Sequence, residues 1–73
     1  MQKYRDVDND SGVDSFHIEP TLIKIWFKDS RRAYAYTYQS VGQFHVEEMK
    51  KLALAGNGLN SYIQRYARNL YEK

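Results

Sequence analysis

The chain has 73 residues, a net charge of +2 and no cysteine. That length supports one domain, and a chain of this size buries only about 60% of its unfolded surface, so the core is small. Disulfides and thiolate metal sites are excluded, and no apolar run reaches the roughly 18 residues that a membrane span needs.

The charge is unevenly spread. Residues 1–14 hold Lys3 and Arg5 against Asp6, Asp8, Asp10 and Asp14, whereas residues 15–73 hold nine Lys/Arg against five Asp/Glu. Residues 1–14 have few apolar side chains and no period, a composition that does not offset the entropy of ordering. They read as a flexible acidic leader without the apolar segment of a secretory signal, and a cytoplasmic location is expected. Asp6-x-Asp8-x-Asp10 has the opening spacing of an EF-hand loop. Ser11 stands where that loop needs glycine and His17 where it needs a bidentate glutamate, so no calcium site is expected.

Residues 15–73 read as a single α+β domain. Phe16 and Ile18 alternate with Ser15, His17 and Glu19, the period of a half-buried strand. Pro20 favours a turn. Ile23, Ile25 and Phe27 then alternate with Lys24, Trp26 and Lys28. A polar Asp29-Ser30-Arg31-Arg32 connection leads into Tyr34, Tyr36 and Tyr38, which alternate with Ala33, Ala35 and Thr37. If Lys28 lies opposite Ala33, then Phe27 faces Tyr34, Ile25 faces Tyr36 and Ile23 faces Tyr38. A tight Pro20-Thr21 turn sets Ile18 against Ile23 and Phe16 against Ile25. All eight large apolar or aromatic residues then share one face, and a slip by one residue would scatter them. The expected sheet is a three-stranded antiparallel meander.

Two C-terminal helices are expected to cover that face. Ser40 with Gln43 has the spacing of a capping box. Val41, Phe44, Val46, Met49, Leu52 and Ala53 fall mostly on one side of the first helix. Glu47 and Glu48 can pair with Lys50 and Lys51, and Gly56 suits the helix end. Leu59, Tyr62, Ile63, Tyr66, Ala67, Leu70 and Tyr71 form the inner stripe of the second helix, with Tyr62 and Tyr66 expected against the tyrosine strand. Asn57, Asn60 or Ser61 could cap it.

Tyr36-x-Tyr38-x-x-Val41 resembles the central Tyr-x-Tyr-x-x-Val of the KTSC domain family. These are short bacterial and phage domains, also found at the C-terminus of some lysyl-tRNA synthetases. Upstream, Ile23-x-Ile25-x-Phe27 resembles the family's hydrophobic strand. Downstream, Gly56 and then Leu59-Asn60-x-x-Ile63, followed by Tyr66, resembles the start of its second helix. The resemblance covers about residues 15–66. The chain departs from the pattern at Gly42, where the family often has proline, at Leu54-Ala55 and in its shorter turn around Pro20. The family's attachment to a tRNA synthetase implies contact with RNA.

Nothing in the residues points to catalysis. His17 and His45 are the histidines present, His45-x-x-Glu48 lacks a third metal ligand, and no phosphate-binding loop or nucleophile elbow occurs. No metal or cofactor is expected, and the histidines read as structural or solvated. The tyrosine strand reads as core with hydroxyls at the rim. The open sheet face should show Ser15, His17, Lys24, Trp26, Lys28, Ala33, Ala35 and Thr37, with Arg31 and Arg32 at the hairpin tip. Trp26 flanked by Lys24, Lys28, Arg31 and Arg32 has the composition of a single-strand binding platform, in which a ring stacks a base and cations meet phosphates. Arg65 and Arg68 could extend a basic track. The expectation is a small non-enzymatic binding module that takes RNA. The alternative is a protein-interaction domain using the Trp26 face, as a monomer or a weak homodimer.

Overall fold

A computed structural model describes residues 2–5, 12–28 and 31–72. The sheet has four antiparallel strands in chain order: β1 (Gln2–Lys3), β2 (Val13–Glu19), β3 (Leu22–Phe27) and β4 (Ala33–Thr37). The three-stranded expectation is therefore corrected by one strand, and Gln2–Lys3 and Val13–Asp14 belong to the sheet. Gln2 pairs with Phe16 and Lys3 with Ser15. The reason is Tyr4, whose ring is 3% exposed in the core. Its N–H donates to the Asp14 carbonyl at 3.0 Å, and its hydroxyl accepts from the Leu59 N–H at 3.2 Å. One buried aromatic with its polar groups satisfied can hold a short segment that lacks any hydrophobic period. The Asp6-x-Asp8-x-Asp10 stretch lies outside the described residues.

The register of β2 and β3 is the expected one, with Glu19 opposite Leu22, Ile18 opposite Ile23 and Phe16 opposite Ile25. A bulge between Val13 and Ser15 lets Val13 (0% exposed) and Phe16 (1%) both enter the core. The register of β3 and β4 differs from expectation by two residues. Ile25 faces Tyr34 and Ile23 faces Tyr36, while Leu22 faces Thr37. A shift of two keeps every side chain on its face, so alternation could not separate the two registers. β3 ends at Phe27, and the Lys28 N–H donates to the Gly12 carbonyl at 2.7 Å, next to the Val13–Phe27 pair. Asp29 and Ser30 of the expected connection lie outside the described residues.

Because β4 ends at Thr37, Tyr38 opens a helix instead of closing a strand. α1 spans Tyr38–Val41, and its capping box is Thr37 with Ser40. The Thr37 hydroxyl accepts from the Ser40 N–H at 3.0 Å, and the Ser40 hydroxyl accepts from the Thr37 N–H at 2.9 Å. This replaces the expected Ser40–Gln43 box. Gly42, with φ 96°, then breaks the helix and redirects the chain into α2 (Gln43–Ala55). α2 buries Val46, Met49 and Ala53. It ends at Gly56 in the left-handed conformation, whose N–H reaches the carbonyls of Leu52 and Ala53 at 3.0 and 3.2 Å. Arg5 also caps this end, donating to the carbonyls of Leu54 and Ala55 at 3.2 and 3.1 Å.

α3 (Leu59–Tyr62) passes into a π-helical turn over Ile63–Ala67. Leu59, Ile63 and Ala67 are buried at a constant spacing of four. An α-helix of 3.6 residues per turn drifts away from such a row, and the wider turn keeps the row inward. Helical structure ends there, short of the expected limit near Tyr71. Tyr66 and Leu70, expected inside, are 48% and 47% exposed. Tyr71 takes the place foreseen for Tyr62 and Tyr66, meeting the Tyr34 ring at 4.7 Å and the Tyr36 ring at 6.2 Å, both edge-on. The Glu72 N–H donates to the Ala35 carbonyl at 2.7 Å, pairing the tail with β4. The result is a four-stranded meander with two main helices against one face.

Candidate nucleic-acid interface

Residues that face one another across an antiparallel pair share a side of the sheet. The registers therefore set out the open face in rows. One row runs Lys3, Ser15, Trp26, Ala33. The next runs His17, Lys24, Ala35, Glu72, and the last Glu19, Leu22, Thr37. Trp26 is half-buried, and both of its cross-strand neighbours, Ser15 and Ala33, are small. The Ser15 hydroxyl donates to Asp14 Oδ2 at 3.3 Å.

The face is electrostatically polarised along the strands. Lys3 lies at the Trp26 end, and exposed Lys28 follows at the end of β3. Glu19 and Glu72 lie towards the other end. Lys24 Nζ is 3.8 Å from Glu19 Oε2, and His17 Nε2 is 3.5 Å from the same oxygen. These side chains are 41–47% exposed. A surface pair of this kind is worth only about 0.2–1 kcal/mol, so Lys24 can exchange its carboxylate for a phosphate at small cost.

The five residues expected at the site are not all brought together. Lys24 and Trp26 are adjacent on the open face, with Lys28 exposed just beyond them. Arg31 is exposed in the hairpin connection and makes no ion pair among the described residues. Arg32 belongs elsewhere. Its guanidinium sits 5.3 Å from the Tyr34 ring centre and 5.7 Å from that of Tyr71, on the side of the sheet where the tyrosines pack. Lys3 was missed, because a strand of two residues leaves no periodic signal.

The residues of the tyrosine motif hold the fold. Tyr36 is 1% exposed, and burial, then the neighbouring Tyr71 and Tyr34, push its hydroxyl pKa up to about 12. The Tyr38 hydroxyl donates to Glu47 Oε2 at 2.6 Å, which raises the Tyr38 pKa and lowers that of Glu47. Lys50 bonds the same carboxylate at 2.9 Å and the Pro20 carbonyl at 3.0 Å, tying α2 to the β2–β3 turn. Val41 is half-buried in α1 and Asn60 half-buried in α3. Gly56 is the left-handed cap, and Ile63 is core.

Among the described residues no group of three His, Asp or Glu side chains is placed to hold a metal ion. Instead His45 Nδ1 and the Tyr62 hydroxyl are 2.7 Å apart, and Glu48 pairs with Lys51 at 3.5 Å. Among the described residues no helix is long and apolar enough to cross a membrane. No family model, curated protein or solved structure matches the chain.

Proposed function

We propose that the domain is a small binding module, acting without catalysis, that holds single-stranded RNA on the open face of its sheet. The observation that carries this reading is the Lys3–Ser15–Trp26–Ala33 row, in which an indole lies between two small neighbours with a cation in the same row. Trp26 stacks a base, while Lys3, Lys24 and Lys28 meet phosphates; Arg31 adds to the field at the hairpin. The Glu19 and Glu72 end repels the strand, so the RNA crosses the sheet at the Trp26 end.

The same reading makes the chain a divergent, cytoplasmic member of the KTSC family. The buried Tyr36, the Tyr38 bond to Glu47, the Gly56 cap and the inward Ile63 support it, since each motif position has a structural task. The second reading is a protein partner or a second copy covering Trp26. Half-buried Leu22 and Ala35 on the same face favour it.

Salt separates the two. Three phosphate contacts give an RNA affinity that falls with a log–log salt slope of about −2. Lys24→Glu combined with Lys28→Glu abolishes RNA binding on this account. A tight RNA complex that ignores both the salt and the double variant contradicts it.

A further inference from the structure

A second aromatic surface lies on the helical layer, away from the sheet face. Phe44 and His45 come from the first turn of α2, Tyr62 from α3 and Tyr66 from the π-helical turn. The wider turn that keeps Ile63 and Ala67 inward leaves Tyr66 48% exposed. The rings hold one another. His45 bonds the Tyr62 hydroxyl at 2.7 Å and lies 22° from parallel with the Tyr66 ring, at 5.8 Å between centres. Tyr62 and Tyr66 are 4.8 Å apart. Phe44, 70% exposed, meets His45 edge-on at 5.6 Å. Rings fixed by mutual contact lose little freedom when a ligand is added.

Beside them runs an open groove of about 710 Å³, lined in part by Leu52, Asn60, Gln64, Arg65 and Tyr66. Its chemistry is mixed. Asn60 and Gln64 offer amide donors and acceptors, suited to the edges of bases. Arg65, and Arg68 one turn on, are exposed and make no ion pair among the described residues. The nearby carboxylate, Glu48, is engaged by Lys51. Stacking rings, amides and uncompensated guanidinium groups form a set that complements a polyanion carrying flat, hydrogen-bonding rings. An apolar helix or sheet would leave the amides and guanidinium groups without partners.

We propose that this groove is a second contact for single-stranded nucleic acid, with a base stacked on the Tyr66–His45 surface and phosphates on Arg65 and Arg68. The ligand class is that of the sheet-face reading, but the residues are different, so either site can fail alone.

The test follows the aromatic ring signals and the arginine Nε–H signals of the full chain by NMR during titration with a short mixed-sequence RNA. The Tyr66, His45 and Arg65 signals are expected to move together and to fade with added salt. Tyr66→Ala weakens binding at the groove by about 5- to 150-fold, the effect of one lost base stack. Tyr66→Phe keeps the ring and binds as the parent does, which separates a lost stack from a lost fold. Arg65→Glu abolishes the groove shifts, and Trp26→Ala leaves them in place. Shifts at Trp26 with none at Tyr66 would overturn this site and leave the sheet reading standing; shifts at Tyr66 alone would do the reverse. A mononucleotide matching the RNA in affinity, or Tyr66 signals that follow protein concentration without RNA, would also overturn it.

Discussion

The Tyr4 hydroxyl accepts a hydrogen bond from the Leu59 backbone N–H at 3.2 Å, joining residues 55 positions apart. The bond satisfies one of the free N–H groups at the start of α3 and fixes β1 beneath the helices. Tyr4→Ala should destabilise the domain by about 3–5 kcal/mol, the cost of emptying a large aromatic site. Tyr4→Phe should cost about 1–3 kcal/mol, because it strands a buried donor. Chemical denaturation measures both. Parent-like stability in Tyr4→Ala would mean that residues 2–5 are dispensable to the fold.

The start of α1 supplies a sharper comparison. Thr37→Ala removes the acceptor for the Ser40 N–H and should cost about 0.5–2 kcal/mol. Gln43→Ala, at an exposed position, should stay within about 0.5 kcal/mol of the parent. The opposite ranking in denaturation midpoints would restore the Ser40–Gln43 box.

Tyr36 and Glu47 make the stability depend on pH in opposite directions. The hydroxyl pKa of Tyr36 rises from 10.0 to about 12 on folding. The folded state then binds its proton more tightly than the unfolded chain, so this contribution is complete below pH 10 and is lost as pH climbs towards 12. Absorbance of the tyrosinate band should show a late step that Tyr36→Phe removes. Glu47 shifts the other way, lowered from 4.5 first by the Tyr38 hydroxyl and then by Lys50. Its contribution is present above pH 4.5 and is lost as pH falls through the lowered value. In Tyr38→Phe the Glu47 carboxylate should titrate closer to its ordinary range, read from its side-chain NMR signal; an unmoved titration would show that the Tyr38 bond does not set it.

Arg32, expected at the open face, packs on Tyr34 and Tyr71, while Lys3 stands in the row of Ser15 and Trp26. Lys3→Glu should weaken RNA binding and flatten the salt slope by about 0.7, one phosphate on a single strand. Arg32→Ala should leave RNA binding near the parent value while costing stability about 0.5–1 kcal/mol through the lost contacts with Tyr34 and Tyr71. Fluorescence anisotropy and denaturation on the same two variants decide the matter.

What could be read from the residues follows a physical division. The β2–β3 hairpin was legible because Pro20-Thr21 permits little choice of turn and the alternation flanks it closely. The inward faces of β3 and β4 were legible too, but not their register, because both candidate alignments bury the same rings. Tyr4 was not legible. Its burial depends on Leu59, a contact that no local period encodes. The helix end is not legible, because the apolar spacing of Leu59, Ile63 and Ala67 continues unbroken to Leu70 and Tyr71, while the chain leaves the helix after Ala67. At the site, Lys24 and Trp26 followed from alternation. Arg32 shares its parity with Tyr34 and Tyr36, a signal that was present and outweighed by its place in the hairpin. The Phe44–His45–Tyr66 surface carried no signal of its own, since Phe44 and Tyr66 both read as inward positions.

The most direct test of the sheet face is a heteronuclear NMR titration of the full chain with a short mixed-sequence RNA at low salt, repeated at high salt. The Trp26 indole should shift together with Lys3, Lys24 and Lys28, and the shifts should fade as salt rises. An indole that ignores RNA, and instead shifts with protein concentration at any salt, would make the Trp26 face an interface between copies of the chain and end the RNA account.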